Sequence, residues 1–523
     1  YWQVDEGYKV MAPRHKIDFK KNIIKIQIPK LSTIDFSKVK MNNLSESIEY
    51  GYKLSKNIDV ARRGENIILI SEDISRCSVK YSDKSFKELC DLKDKGTLSS
   101  SLLETQSLTS NKSALGNSPL LISLLRLGLL SLSIYVNSKI IASFDHTRPL
   151  TYSISRLSDN ASFSLSSFCW IKLIDGKFVL QNQSQSSQLI VYDFEFMRII
   201  SEISKDTTIE HLINAFGENN SSIISSIIKL MLSNNLLHLN RQISSQTSSD
   251  NDINFWGFED LLFHERSRWG PHNQFIGANF PFAETMPAPS ITPTIHSIKE
   301  ISLLEPHEGE LIDQSFFEII LKRKSYHEFG NKPVSLKNLG LLLWFVLHIK
   351  RRHKIQAISE RRTYYEITKR PVPGGGGMHE IEIFLAINRS EEIDSGMYHY
   401  NAEKHCLEMV RVKDKYCNQL LKDAALAGNL SKPPDILIVL GYRPRRLSWK
   451  YQGIVYSLVL KHVGIIFQQL YLVSTALGLA PCALGVGNSR TFQYAVMDDS
   501  SQESIHSVGE FIIGSKPNPE DLD

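Results

Sequence analysis

Six cysteines in 523 residues are too few and too scattered for a disulfide scaffold. Cys77, Cys90, Cys169, Cys406, Cys417 and Cys482 form no CxxC pair and no Cys/His ligand spacing. Reduced thiols, a cytoplasmic setting and no metal site are therefore expected. Charge of one sign is also lacking: 60 Lys and Arg stand against 56 Asp and Glu, a net +4. That balance gives no electrostatic footprint for nucleic acid. The longest apolar stretch, 453–487, is broken by Lys461, His462, Gln468 and Gln469, so a buried core helix is expected there and no membrane span. Neither the GxGxxG of a dinucleotide fold nor a GxxxxGK[ST] phosphate loop occurs, and the first residues carry no secretory-signal pattern.

What is present is organised in two halves. In the first, an apolar-faced helix over 119–130 precedes a strand, Ser133–Val136. A second such unit runs through Thr208–Ile213, Ser222–Leu232 and Asn234–Leu239. Strands are expected at 168–173, 177–180 and 188–192, with Asp175-Gly176 as a hairpin turn. Helix, helix and short strand form a winged-helix pattern. The candidate recognition helix carries only Lys229, so a scaffold, or a module that adds a peptide strand to its wing, suits it better than DNA binding. Two such modules are expected, at 1–145 and 146–245. A linker is expected at 246–300, polar at first, aromatic and charged from Trp256 to Gly270, then proline-rich. One further domain follows at 301–523.

Four segments of that domain carry chemistry. Arg323, Lys324, Ser325 and His327 follow a predicted helix at 314–321. Two cations and a hydroxyl in that run can cradle a phosphate, although a solvated helix end is the plainer alternative. Pro373 is followed by Gly374, Gly375, Gly376 and Gly377 and then by the strand-forming run 381–387. A backbone without side chains can approach a flat ligand closely, or it can simply be a flexible loop. Lys450 and Tyr451 are adjacent groups of high intrinsic pKa, about 10 each. A turn rich in small residues, 477–488, can present backbone N–H groups or merely pack tightly.

Taken together, these residues resemble the nitroreductase superfamily of FMN enzymes over about 303–523. Within it they resemble most the azoline oxidases, or SagB-type dehydrogenases. The winged-helix-like first half, the string Phe263-His264-Glu265-Arg266-Ser267-Arg268 and the run Ser507–Gly514 resemble the cyanobactin oxidases in particular. The resemblance implies an α+β protein whose C-terminal domain binds FMN. It implies Arg323, Lys324, Ser325 and His327 at the phosphate, with Lys516 as a further contact. It implies Pro373, Gly374, Gly375 and Gly376 against the ring system. Gly374 stands where the family has Ser, so a side-chain hydrogen bond is lost. The backbone N–H at Leu484 and Gly485 would face flavin N5.

Lys450 and Tyr451 match the family's catalytic pair. The implied reaction oxidises thiazolines or oxazolines in a ribosomally made peptide to thiazoles or oxazoles. Lys450, its pKa lowered by burial, would take the ring Cα proton, or Tyr451 would do so with Lys450 keeping it ionised. Oxygen is the expected electron acceptor. The resemblance further implies a homodimer through the apolar helix near 453–477, and a cyclodehydratase is a partner consistent with it. The basic stretch 350–370 reads as a mobile loop or as a lid steering an acidic peptide. An NAD(P)H-dependent nitro or quinone reductase and a peptide-docking scaffold remain open as alternatives.

Overall fold

The computed structural model describes residues 48–54, 58–63, 66–71, 77–80, 90, 97–99, 130–136, 139–147, 161–183, 188–239, 256–268, 276–307, 315–357, 363–496 and 503–517. In the first half, an antiparallel seven-stranded sheet runs in the order Thr97–Ser99, Ile48–Leu54, Leu130–Val136, Lys139–Thr147, Gln188–Val191, Lys177–Asn182, Cys169–Ile174. The expected hairpin closes at Asp175 and Gly176, with φ of 48° and 75°. Two residues at positive φ are what a two-residue turn between right-twisted strands requires.

Helices Phe194–Ile203, Ile209–Phe216 and Ser221–Ser233 cover this sheet. Thr208 caps the second by accepting from the His211 N–H, and Gly217 (φ 97°) ends it. Leu132, Ile134, Phe144, Leu180 and Leu189 of the strands share one core with Ile199, Leu212, Ile224 and Ile227 of the helices. The boundary expected at 145/146 thus crosses a common sheet, because strand Lys139–Thr147 pairs with both Leu130–Val136 and Gln188–Val191. The helix expected at 119–130 lies outside the described residues, except that Leu130 begins the strand.

The stretch expected as a linker contains structure that joins the halves. Helix Phe258–Arg266 meets the first half through Arg266, which donates to Gln181 Oε1 at 2.6 Å and lies 5.2 Å from the Trp170 ring. On its other side, Phe263 packs edge-on against Tyr456 of the second half at 5.9 Å. The proline-rich run that follows is also part of the second half. Its carbonyls satisfy two fully buried arginines: Arg443 donates to Ser290 and Ile291, and Arg446 to Pro289. A buried guanidinium needs many acceptors, and extended proline-rich backbone offers carbonyls without competing N–H groups.

The second half is built on another antiparallel seven-stranded sheet. Its order is Lys299–Ser302, Cys406–Val412, Gly396–Asn401, Ile381–Ile387, Ile436–Tyr442, His506–Ser515, Leu479–Leu484. The two central strands, Ile381–Ile387 and Ile436–Tyr442, are buried at every residue. Side chains alternate across a strand, so Ile383 and Leu385 face one core and Phe384 and Ala386 the other. Helices Leu336–Leu347 and Val455–Ala476 fill the first core; Lys415–Ala427 and Ser489–Val496 fill the second. The 22-residue helix Val455–Ala476 is long and apolar enough to cross a membrane, but it packs Val459, Val463, Ile466 and Leu470 into the domain.

Candidate functional site

The glycine loop and the Lys-Tyr pair meet. Gly376 has φ 55°, and a Cβ built on it would lie 2.5 Å from Tyr451 Oη and against Lys450 Nζ. The loop is a tight turn, with Gly377 N–H donating to the Gly374 carbonyl at 3.0 Å and Met378 N–H to Gly375 at 3.1 Å. Lys450 Nζ donates to Tyr365 Oη at 3.1 Å and reaches the Gly376 carbonyl at 3.4 Å. It sits over the rings of Tyr365, Tyr451 and Phe280 at 5.1, 5.5 and 5.8 Å. Burial, with a lesser contribution from Tyr365, pushes the Tyr451 phenol up from its ordinary value. A phenol shifted in that direction suits a hydrogen-bond donor more than an ionised base.

Tyr365 comes from the basic stretch, which forms a two-stranded hairpin, Arg351–Gln356 paired with Tyr364–Lys369. Its outer strand is exposed, and Arg352 pairs with Glu403. Arg370 does not share that exposure: it is buried, and both terminal nitrogens lack a partner among the described residues. His379, at φ 45°, packs its ring against Gly374. Burial, then Arg370, His462 and Arg446, lower its pKa to about 3.

Behind the loop, Gly375 N–H donates to His462 Nε2 at 3.0 Å, and His462 Nδ1 lies 2.6 Å from Glu380 Oε1. Arg446 ties three segments together, donating to Met378 O at 2.8 Å and to Pro289 O and Glu366 O at 2.7 Å each. Burial, then Arg443 and Arg370, lower its pKa to about 10.

The predicted phosphate run forms a second cluster. Arg323 ends helix Phe316–Lys322 and stacks 5.1 Å over the Tyr471 ring. Lys324 lies 4.6 Å over the Tyr326 ring, and Ser325 Oγ is 2.7 Å from Tyr471 Oη. Tyr471 Oη also accepts from Ala483 N–H at 2.8 Å. One side chain thus joins the cationic run to the strand leading into Leu484 and Gly485. Leu484 is buried and Gly485 exposed.

His327 uses Nδ1 to donate to the Gly428 carbonyl at 2.7 Å, which leaves only Nε2 for a ligand. Lys516 is exposed, and its backbone packs against Gly330. Under the turn, the Glu510 carboxyl fills the space a Cβ on Gly487 would take, and burial raises its pKa.

Among the described residues, no hydrogen bond or ring contact joins the two clusters. Both lie on helix Val455–Ala476, but the step from His462 to Tyr471 is about two and a half turns, which puts them on opposite faces. Half-buried Arg323, exposed Lys324 and the Ser325 hydroxyl suit a phosphate, and the bare loop at Gly374–Gly376 suits a flat ring. Each cluster thus suits one part of FMN, the first its ring system and the second its phosphate. A separate cavity of about 450 Å³, lined by Phe282, Met286, Pro289, Pro444, Arg445 and Trp449 among others, contains none of the predicted residues.

The pattern had not singled out Tyr365, Glu380, Arg446 or Tyr471 as site residues. His462 had been noted only as a break in an apolar run. As one of four polar breaks in that run, beside Lys461, Gln468 and Gln469, it is the one sequence signal among these five.

Known proteins match both halves. Residues 163–273 match the family model described as cyanobactin oxidase ThcOx, reaching past position 245 through helix Phe258–Arg266. Residues 320–499 match the nitroreductase family. A Methanocaldococcus jannaschii protein with a provisional nitroreductase name is 25% identical over 186 residues, which is 36% of this chain and 83% of its own. A Ralstonia eutropha structure, also provisionally titled a nitroreductase, is 19% identical over 45% of this chain and 98% of its own, with a TM-score of 0.32.

One chain of the E. coli microcin synthetase McbBCD complex, with truncated pro-MccB17 bound, is 17% identical. It covers 52% of this chain and 99% of its own, at a TM-score of 0.31. Scores this low add no structural argument, so the family models carry the assignment. The chain thus carries, in order, a segment that matches the cyanobactin-oxidase model and a domain that matches the nitroreductase family, the make-up of an oxidoreductase.

Proposed function

We propose that this protein oxidises thiazoline or oxazoline rings of a ribosomally made peptide to thiazoles or oxazoles, with FMN as cofactor and oxygen as terminal acceptor. The observation that carries this reading is the convergence of Gly376, Lys450 and Tyr451 on one spot. There a flat ring system and a proton acceptor can share a substrate. Lys450 takes the azoline Cα proton, which is acidic because it lies beside a carbonyl and a C=N. Tyr451, kept protonated by burial, donates a hydrogen bond to the substrate. FMN, when bound, accepts the two electrons and the second hydrogen that leave the neighbouring ring carbon. Arg323, Lys324 and Ser325 would hold its phosphate, and Gly374–Gly376 would lie against its ring.

The clusters on opposite faces of one helix, with Tyr456, Leu460 and Ile465 exposed along it, favour a homodimer in which two chains complete each site. We assign 146–245 with helix Phe258–Arg266 to recognition of the peptide, and the exposed strand Arg351–Gln356 to a steering patch over the site.

Incubating a thiazoline peptide with the FMN-loaded protein in air, followed by mass spectrometry, tests the reading. Loss of two hydrogens per ring without NAD(P)H supports it. No mass change, together with flavin reduction by NAD(P)H, would replace it with a nicotinamide-dependent reductase.

A further inference from the structure

We propose that His462 is a positioning residue. Held by Glu380 in its Nδ1–H tautomer, it anchors the Gly375 amide and so sets where the glycine loop meets Lys450. The tautomer follows from hydrogen-bond bookkeeping. Gly375 N–H can only donate, so Nε2, 3.0 Å away, must accept. The ring hydrogen is then on Nδ1 and is donated to Glu380 Oε1 at 2.6 Å. Glu380 is fully buried and His462 nearly so, which leaves no water to substitute for either bond.

Four further contacts make the anchor matter for chemistry. The neighbouring Gly376 carbonyl accepts from Lys450 Nζ at 3.4 Å. The turn is closed on itself by the Gly377-to-Gly374 and Met378-to-Gly375 bonds, so a shift at Gly375 moves Gly376. A Cβ on Gly375 would lie 3.2 Å from His462 Cε1, so ring and loop are already in close contact. The path runs from a buried carboxylate on the strand side of the loop, through an imidazole of the long helix, to the backbone that contacts the proposed base. The inference deepens the azoline-oxidase reading and rests on Lys450 as that base.

Hydrogen-exchange mass spectrometry of the 371–381 region in wild type, His462→Leu and His462→Gln tests the anchor without reference to activity. His462→Leu is expected to lose protection at the loop and about 100-fold in oxidation rate, since a displacement near 1 Å costs that much. His462→Gln, whose side-chain oxygen can still accept from Gly375, should keep the protection and most of the rate. Unchanged exchange in His462→Leu, or equal impairment of both variants, would overturn the proposal.

Should His462→Leu fail to fold, the ring ¹⁵N signals of histidine-labelled wild type decide. Protonated Nδ1 with bare Nε2 supports the anchor, and any other pattern for His462 overturns it. Wild type that oxidises no azoline would sink the functional reading, while the exchange and NMR results would still judge the anchor.

Discussion

Replacing Gly376 by alanine should damage catalysis far more than folding. Gly376 is in the left-handed region, φ 55° and ψ 25°, where a Cβ costs roughly 1–2 kcal/mol. The larger effect is steric. The new Cβ would lie 2.5 Å from Tyr451 Oη and against Lys450 Nζ, whereas heavy atoms rest comfortably at about 3.5–4 Å. Loop or pair must therefore move by about 1 Å or more, and a misplacement of that size costs on the order of 100-fold in rate. Gly478 supplies the control: its φ is 71°, but a Cβ there meets nothing within 4 Å. Gly478→Ala should carry the same backbone strain with no collision. Steady-state oxidation of a thiazoline peptide, read alongside thermal unfolding, separates the two. A Gly376→Ala enzyme within a few-fold of wild-type kcat, or a Gly478→Ala enzyme equally slowed, would refute the reasoning.

Three further outcomes follow from the same geometry. Arg446→Met leaves the carbonyls of Met378, Pro289 and Glu366 without their donor; at about 1–3 kcal/mol for each buried group left unsatisfied, urea denaturation should show a loss of roughly 3 kcal/mol or more. Lysine, lacking the planar fork, should not restore it. The pKa of His379, held near 3 in the folded chain, returns to about 6.5 on unfolding. The unfolded state thus binds the extra proton between those values, and this residue's contribution to stability falls as pH drops below about 6.5, by about 2 kcal/mol at pH 5. His379→Asn tolerates the left-handed backbone and should lose less stability between pH 7.5 and 5 than wild type; an equal loss would exclude His379 as a source. Tyr471→Phe removes the hydroxyl shared by Ser325 and Ala483 N–H, and fluorimetric titration should show FMN binding weakened about tenfold, the equivalent of 1.4 kcal/mol; an unchanged Kd would dissociate Tyr471 from the phosphate cluster.

Local chemistry in the sequence was enough for the elements themselves. Asp175-Gly176 specifies its hairpin because two adjacent residues must take positive φ. Thr208 and Gly217 bound a helix because caps act within one turn. The strand-forming run 381–387, apolar but for Glu382, is a strand in the structure, buried at every residue. The cationic run after helix Phe316–Lys322, the four glycines and the Lys-Tyr pair were legible as residue types whose chemistry needs no context.

Which of these meet was decided only by the tertiary structure, because the contacts are long-range. Lys450 finds Tyr365 across 85 positions, Gly375 finds His462 across 87, Ser325 finds Tyr471 across 146, and Arg446 finds Pro289 across 157. No periodicity or spacing encodes such pairs. Where the groups are buried, as Arg446 and Glu380 are, each is forced to find a partner wherever the packed chain supplies one. The same demand turns an apparent proline-rich linker into a layer of the second half. It also turns a histidine that merely interrupts an apolar helix into the support of the glycine loop.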